Sequence, residues 1–352
     1  MAQSDNRRPE GQAMPRMSDV ATMAGVSLGT VSNALNHPDR LSPVTLKRIR
    51  RVIKELGFVR NGAAQSLARG ISNTIGFVII DLSNSFFLDM SRGAEQAAAE
   101  AGFSLILANS DMDMARQDSH LDLFDQQRTA GVLLAPLPGL FSGLERARQH
   151  GQPVVLLNAA PQQAGDYCAV LTNNEHGGYL AARHLIEQGC RQLAFCGNID
   201  ALPPIRQRYS GAVRAVAQTN GAVRLELIPT PEVQVGDGLR VGHQVVEREP
   251  ALRPDGIIAG ADLLAAGIVQ TILSQSDLRF PEDVSIIGYD DNRSAWNALI
   301  PLSTLAQPGL EMGRLAAQSL IDEITARDHR HRQIVLEPQL VVRDSSRRLA
   351  KT

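Results

Sequence analysis

Apolar positions follow two different rhythms along the chain. Between residues 18 and 57 they recur at helical spacing. Ser18 is placed to cap a helix over Asp19–Ala24 that keeps Val20, Ala21 and Ala24 on one face and stops at Gly25. Ser27 is placed to cap a second helix, Leu28–Asn36, with Val31, Ala34 and Leu35 at i, i+3 and i+4. A third starts at Ser42 with Pro43 in its first position, turns Leu46, Ile49, Val52, Ile53 and Leu56 inward, and ends at Gly57. From Thr74 onward short apolar runs alternate with helical stretches. The runs are 75–80, 104–108, 131–135, 153–157, 169–171, 193–196, 225–228, 256–259 and 284–287, and the helical stretches include 87–101, 176–188, 209–219 and 263–274. Continuous apolar strands separated by helices imply parallel sheets covered on both faces. About 280 residues is too much for one such sheet, so this part is expected to form two doubly wound lobes.

Two short helices joined by a glycine turn and backed by a longer helix make a helix-turn-helix, whose second helix can enter the DNA major groove. The faces of that helix divide accordingly. Its outward positions, Ser27, Leu28, Gly29, Thr30, Ser32 and Asn33, are short and mostly polar, able to approach base edges and phosphates. Charge sharpens the picture. The net charge of the 352 residues is -2, yet residues 1–70 hold eleven Lys or Arg against five Asp or Glu, or +6, which leaves -8 for the remainder. A basic head on an acidic body suits a polyanion-binding module attached to something that stays off the polyanion.

The run Met17-Ser-Asp-Val-Ala-Thr-Met-Ala-Gly-Val-Ser-Leu-Gly-Thr-Val-Ser-Asn-Ala-Leu-Asn36 resembles the signature of the lactose-repressor (LacI/GalR) family of bacterial transcription regulators. Leu41–Leu46, Ile53–Phe58 and Asn61–Arg69 resemble that family's third helix and hinge helix. The resemblance implies a flexible tail (1–16), a helix-turn-helix domain (17–60), a hinge (61–73) and an effector-binding, dimerising core (74–352). That core is expected to be of the periplasmic-binding-protein type I kind, with an N-lobe of about 74–171 and 301–332 and a C-lobe of about 172–300 and 333–346. The blocks Ile80–Phe87, Val284–Asp291, Pro301–Thr304 with Gln307-Pro308, and Leu340–Ser345 carry this part of the likeness. By the same resemblance Leu28, Gly29 and Asn33 read bases, Thr30 and Ser32 lie nearer phosphates, Ser18, Ser27 and Asn36 also bind DNA, and Asn61, Ala64, Leu67 and Ala68 belong to the hinge at the operator. Gly29 offers no side chain, and Asn33 stands where many relatives have Arg. Asn pairs with adenine where Arg prefers guanine, so half-site preference does not transfer.

The hinge reading has a physical basis. An eight-residue helix over 62–69 is too short to be stable alone, and its interior Gly costs about 1 kcal/mol relative to Ala. DNA and the partner's hinge must supply its order, and the resemblance implies that Leu67 of each subunit wedges into the minor groove at the dyad.

In doubly wound sheets ligands collect beyond the carboxyl ends of strands. Polar residues gather there: Asp81, Ser83 and Asn84, Asn109 and Asp111, Asn158, Asn173 and Asn174, Asp262, then Tyr289, Asp290 and Asp291, with Phe86 and Phe87 beside the first loop. The resemblance singles out Arg208 and Asp262 as the pair that clasps effector. Arg208 offers a planar fork of donors and Asp262 accepts from hydroxyls or ring nitrogens. The effector site is therefore expected at Asp81, Phe86, Phe87, Asn109, Asn158, Arg208, Asp262 and Tyr289, with a small polar metabolite, a sugar or sugar derivative, as ligand.

No GxxxxGK[ST], GxGxxG after a strand, GxSxG or HExxH occurs, so no enzyme and no cofactor is expected. Cys168, Cys190 and Cys196 are read as buried hydrophobes, and Asp328-His-Arg-His-Arg332 as solvated surface, so no metal site is expected. Arg7 and Arg8 precede Pro9, Glu10 and Gly11 rather than an apolar signal region, and no run is long enough to span a bilayer, which predicts a cytoplasmic bacterial protein that joins the nucleoid when DNA-bound. The expected partners are pseudo-palindromic operator DNA, an effector and a second copy of the chain. The tail from Ser346 to Thr352 lacks the heptads of a tetramerising coiled coil. Two other readings stay open: a regulator of the same fold without ligand response, and a solute-binding protein.

Overall fold

The computed structural model describes residues 15–59, 72–139, 142–161, 163, 165–293, 300–326 and 328–347. The chain divides into two compact units, residues 1–72 and 73–352.

The first unit holds α1 (Met17–Ala24), α2 (Leu28–Asn36), a short 3₁₀ turn (Pro38–Arg40) and α3 (Pro43–Leu56). The Ser27 hydroxyl accepts the Thr30 N–H at 3.1 Å and starts α2. Ser42 does the same for Thr45, and Pro43 and Gly57 bracket α3 as expected. Ser18 does not cap α1. The helix begins two residues earlier, at Met17, where the Asp19 carboxylate accepts the Arg16 backbone N–H at 2.7 Å and leaves Ser18 exposed in the first turn. Gly25 stops α1 with φ +62°, a left-handed conformation that costs glycine little. Val20, Ala21, Ala24, Val31, Ala34, Ile49 and Val52 form the small core between the three helices. The tail through residue 14 and the hinge positions Asn61, Ala64, Leu67 and Ala68 lie outside the described residues.

The second unit contains two six-stranded sheets. Along the chain run β1 (Thr74–Ile79), α4 (Ser85–Glu100), β2 (Ser104–Asn109), α5 (Met114–Gln126), β3 (Gly131–Leu134), α6 (Ser142–Gln149), β4 (Val154–Leu157) and β5 (Cys168–Thr172). There follow α7 (Asn174–Glu187), β6 (Gln192–Gly197), α8 (Pro203–Ala217), β7 (Arg224–Pro229), α9 (Val235–Glu247), β8 (Gly256–Ala259), α10 (Asp262–Gln275) and β9 (Ser285–Asp290). The last elements are β10 (Ser303–Ala306), α11 (Gly309–Thr325), β11 (Gln333–Leu336) and β12 (Gln339–Val341). The sheets have strand orders β11-β5-β4-β3-β1-β2 and β12-β10-β9-β8-β6-β7, and every pairing is parallel except β10 with β12.

Each sheet is covered on both faces. One apolar cluster on the first sheet joins Phe77, Met90 and Leu320, and a second joins Val78, Phe124 and Leu156. The second sheet has Ile257 with Ile268 in one cluster and Phe195 with Ala212 in the other. This explains why the strands read as unbroken apolar runs rather than alternating ones.

The exchange of strands between lobes differs from the expected boundaries. β10, expected in the N-lobe with 301–332, pairs with β9 in the second sheet, and β11, expected in the C-lobe with 333–346, pairs with β5 in the first. The chain therefore crosses between lobes at Thr172–Asn174, at Gln307–Pro308 and again at Glu337–Pro338. Parallel pairing requires a long return path, and α11 supplies it: after β10 the chain runs back along the first lobe in α11 and re-enters that sheet at its edge as β11.

Candidate functional site

In the N-terminal unit, helix packing sorts the faces of α2. Val31 and Ala34 are buried, whereas Ser27, Leu28, Gly29 and Asn36 are exposed and Thr30, Ser32 and Asn33 half-buried. Leu28 keeps 50% of its surface exposed. Polar side chains on this face are partly engaged with one another. The Ser27 and Thr30 hydroxyls lie 2.8 Å apart, and the Asn36 amide donates to the Ser32 hydroxyl at 3.4 Å. On α3, Lys47, Arg48, Arg50, Arg51 and Lys54 point to solvent, the form in which basic side chains reach phosphates.

In the second unit a cleft of about 670 Å³ lies between the sheets, walled by residues following the carboxyl ends of their strands. The first lobe contributes Asp81, Asn84, Phe86 and Phe87 after β1, Leu137 after β3 and Asn158 after β4. The second contributes Pro203, Pro204 and Arg208 from α8, Gln234 before α9, and Asp290 at the end of β9. Its walls are thus apolar with a few placed polar groups, the usual make-up of a small-molecule site.

Arg208 reaches this cleft because α7 and α8 touch backbone to backbone. A Cβ on Gly178 would overlap the Arg208 carbonyl oxygen, and one on Gly211 would overlap that of Glu175. Once there, the guanidinium is almost fully held. Nε donates to Asn174 Oδ1 at 2.9 Å, Nη1 donates to the Gly260 carbonyl at 2.6 Å, and Nη2 lies 3.8 Å from Asp290 Oδ1. Its plane covers the Tyr289 ring, with Cζ 3.5 Å from the centroid. Asp290 in turn accepts from the Asn84 amide at 2.8 Å and the Gln307 amide at 2.6 Å. Burial pushes the Asp290 carboxyl upward and Arg208 is the largest influence pulling it back.

Several side-chain bonds span the lobes here, among them Asn84 to Asp290, the Gln234 amide donating to Asp81 Oδ2 at 2.9 Å, and, at the start of α4, the Ser85 hydroxyl donating to Asn292 Oδ1 at 2.6 Å. Asn158 sits in the left-handed region at φ 56°, and its Oδ1 is buried without a hydrogen-bond partner. A buried acceptor in that state costs about 1–3 kcal/mol unless something donates to it, and this one belongs to a residue of the cleft wall.

Of the eight expected effector positions, Asp81, Phe86, Phe87, Asn158 and Arg208 line the cleft, whereas Asn109, Asp262 and Tyr289 do not. Asn109 ends β2, the outermost strand of its sheet, and its side chain accepts from the Asp111 N–H. Asp262 turns away from the cleft, although its neighbours Ala261 and Leu263 line it. Its carboxylate accepts from the Asn292 N–H at 2.7 Å and the Thr304 hydroxyl at 2.8 Å, bracing the ends of β9 and β10. Burial, with Asp290 nearby, pushes this carboxyl well above the usual range. Tyr289 lies beneath Arg208, and burial raises its phenol to about 12.

Sequence reasoning placed Asn84, Asn174 and Asp290 at strand ends but did not assign them to the site, and it missed Gln234 and Gln307. Asp290 and Gln307 sit inside blocks already visible in the sequence, so those two carried a signal. Gln234 precedes a helix on a loop with no pattern, and carried none. No helix among the described residues is long and apolar enough to cross a membrane. All three cysteines are free and buried, but Cys168 is not merely a hydrophobe: its Sγ meets His329 Nε2 at 3.1 Å.

Comparison with known proteins agrees with both halves of this description. Residues 16–61 match the family described as bacterial regulatory proteins, lacI family, and residues 182–346 match a periplasmic binding protein-like domain. The ribose operon repressor of Escherichia coli K12 is 32% identical over 335 residues, covering 95% of this chain and all of that protein. The HTH-type transcriptional repressor PurR of Aliivibrio fischeri MJ11 is 30% identical over 336 residues, 94% of this chain and 98% of PurR. Among solved structures, a cellobiose complex of the transcriptional regulator CelR superposes with a TM-score of 0.71 at 27% identity, covering 94% of this chain and 99% of that one. With a helix-turn-helix in its first unit, a two-lobed cleft in its second, and relatives matched along nearly their whole length, the chain belongs to the lacI family of bacterial regulatory proteins.

Proposed function

We propose that the protein is a transcriptional repressor that binds a pseudo-palindromic operator as a homodimer, and whose DNA affinity is set by a small polar metabolite held between the lobes of its second unit. The observation that carries the ligand half is the cleft itself: about 670 Å³, apolar walls, and a few polar groups converging from both lobes. Such a volume suits a mono- or disaccharide or a molecule of similar size, in keeping with the ribose repressor and the cellobiose complex among its relatives. Aliphatic walls meet the carbon faces of a sugar, while Asp81, Asn84, Gln234 and Asn158 present acceptors and donors for hydroxyls. Arg208 offers its Nη2 edge to a ring oxygen or hydroxyl, and Tyr289 holds it flat for that purpose.

The DNA half rests on the exposed face of α2. Dimerisation follows from how one such helix reads one half-site, the second half requiring a second copy. Coupling between the two halves follows from the lobe-spanning bonds. A ligand that replaces Gln234 at Asp81, or Asn84 at Asp290, changes which lobe angle is favoured. A coupling of about 1–3 kcal/mol, roughly 5- to 150-fold in operator affinity, suffices for regulation.

The test combines selection of bound duplexes from a random pool with a calorimetric screen of pentoses, hexoses, disaccharides and purines. The expected result is a two-fold symmetric binding site and a ligand that shifts operator affinity. Arg208→Ala should lose the shift while keeping operator binding. A protein that shows no preference for any duplex over random competitor would overturn the reading. A sequence-specific binder that ignores every ligand would retain only its DNA half.

A further inference from the structure

The strand exchange between lobes creates a second cluster, unforeseen by the reading of 328–332 as solvated surface. Cys168 is the first residue of β5, Glu323 lies in the last turn of α11, and His329 and His331 lie on the connection from α11 into β11. Because β11 pairs with β5, that connection is brought back over the start of β5. One ligand-type atom from each of the four residues falls within 4.8 Å of the other three. Cys168 Sγ is 3.1 Å from His329 Nε2, and His331 Nδ1 is 3.9 Å from Glu323 Oε2.

We propose that Cys168, Glu323, His329 and His331 form a metal site whose natural occupant is zinc(II), a thiolate, a carboxylate and two imidazoles from three separate elements closing on one ion. Three observations carry this. The spacing fits: tetrahedral zinc with bonds of about 2.0–2.3 Å places its ligand atoms about 3.3–3.7 Å apart, so the four atoms need move inward by no more than about an ångström. Two of the atoms also lack any other employment. Glu323 Oε2 and His331 Nδ1 are both buried and take part in no hydrogen bond, and their separation of 3.9 Å is too long for one between them. Finally the sulfur is prepared as a ligand: the Arg332 backbone N–H donates to Cys168 Sγ at 3.4 Å, the kind of outer contact that orients a metal-bound thiolate.

The donor set selects among metals. One sulfur and two imidazole nitrogens disfavour magnesium and calcium, which prefer oxygen, and suit a borderline-soft divalent ion. Four protein ligands leave no open position, so the ion would be structural rather than catalytic. It would fasten the start of β11 to β5, and β11 carries Val335, which lines the cleft. A pocket of about 270 Å³ beside Glu323 and His331, lined also by Asp166 and Tyr167, gives an ion a way in.

The experiment uses the full chain, stripped of metal with a chelator and then titrated with zinc(II) and, separately, cobalt(II). The expected result is one metal per chain, with the cobalt form showing thiolate-to-cobalt charge transfer and the intense visible bands of a tetrahedral ion. Cys168→Ser should remove the charge-transfer band, and His331→Gln should weaken zinc binding by at least about tenfold, the loss caused by removing even an outer-shell partner. The His331 variant guards against misfolding, since its side chain is only half-buried and circular dichroism would report intact lobes. Failure of the stripped protein to take up one equivalent, absence of the charge-transfer band, or parental zinc affinity in His331→Gln would each overturn the site. None of these outcomes bears on operator or effector binding.

Discussion

Arg208 is the side chain on which the cleft depends, and the structure sets what its loss should cost. Replacing it with Met preserves most of the aliphatic stem but removes the donors to Asn174 and Gly260 and the cation facing Asp290. Both members of the Arg208–Asp290 pair are only 4% exposed, so solvent screening is slight. Removing one partner of a buried pair costs about 3–5 kcal/mol, because the other charge stays behind. Here Asp290 keeps the Asn84 and Gln307 amides, which places the expected loss near the lower figure, about 3 kcal/mol. Asp290→Asn in the same background removes the stranded charge. The double variant should therefore be more stable than the sum of the single losses predicts, by about 1–3 kcal/mol. The pH dependence follows from the same pair. Burial raises the Asp290 carboxyl and Arg208 opposes that rise, so without Arg208 the folded-state value climbs further. A carboxyl with a raised folded-state value stabilises fully below the unfolded aspartate value of about 3.9, and that contribution is lost as pH rises through the folded value. Arg208→Met should thus lie closest to the parent in acid and fall behind as pH increases. Urea unfolding of the four proteins, followed by circular dichroism at several pH values, measures both effects. Additive losses to within about 0.5 kcal/mol, or a gap that does not widen with pH, would refute the coupling.

Three further predictions concern other parts of the molecule. Ser27→Ala removes the acceptor for the Thr30 N–H and should cost the N-terminal unit about 1 kcal/mol and weaken operator binding in step, as read by thermal unfolding and fluorescence anisotropy; an unchanged melting profile would show that the cap contributes nothing. Gly178→Ala drives a methyl into the Arg208 carbonyl, so it should destabilise the second unit by at least about 2 kcal/mol and weaken ligand binding by displacing α8, whereas a parental urea midpoint would mean that the helices separate freely. His184 is buried, with Nε2 2.7 Å from the Ser346 hydroxyl, and burial lowers its pKa. Its contribution is therefore present above the unfolded histidine value of about 6.5 and lost as pH falls through the lower folded value, by up to about 1.4 kcal/mol per pH unit; in His184→Gln this part of the pH slope should vanish, and a slope identical to the parent's would exclude the assignment.

The helix-turn-helix was legible almost residue by residue, because its signals are local. Ser27, Ser42, Pro43, Gly25 and Gly57 act on backbone groups within four positions of themselves, and the buried faces obey a 3.6-residue period. The one slip, Ser18 for the Asp19 contact to the Arg16 N–H, was a displacement of two residues within the same kind of signal. The paired α/β lobes were legible for a related reason: strands covered on both faces must be apolar throughout, whatever their neighbours.

What the sequence alone determined, then, was which segments become helices or strands, which face of α2 stays outside, and which strand ends carry polar groups. Partnership between distant segments was left to the tertiary structure. The apolar segments β10 and β11 fit either sheet by composition, and only the pairings with β9 and β5 assign them. Asp262 and Asp290 both follow strands and both carry a carboxylate, yet packing turns one towards Thr304 and Asn292 and leaves the other facing the cleft. Cys168 and His331 are 163 residues apart and meet only because β11 returns beside β5. Local free energy depends on neighbours along the chain, whereas a binding site depends on which surfaces remain once every apolar face has found its cover.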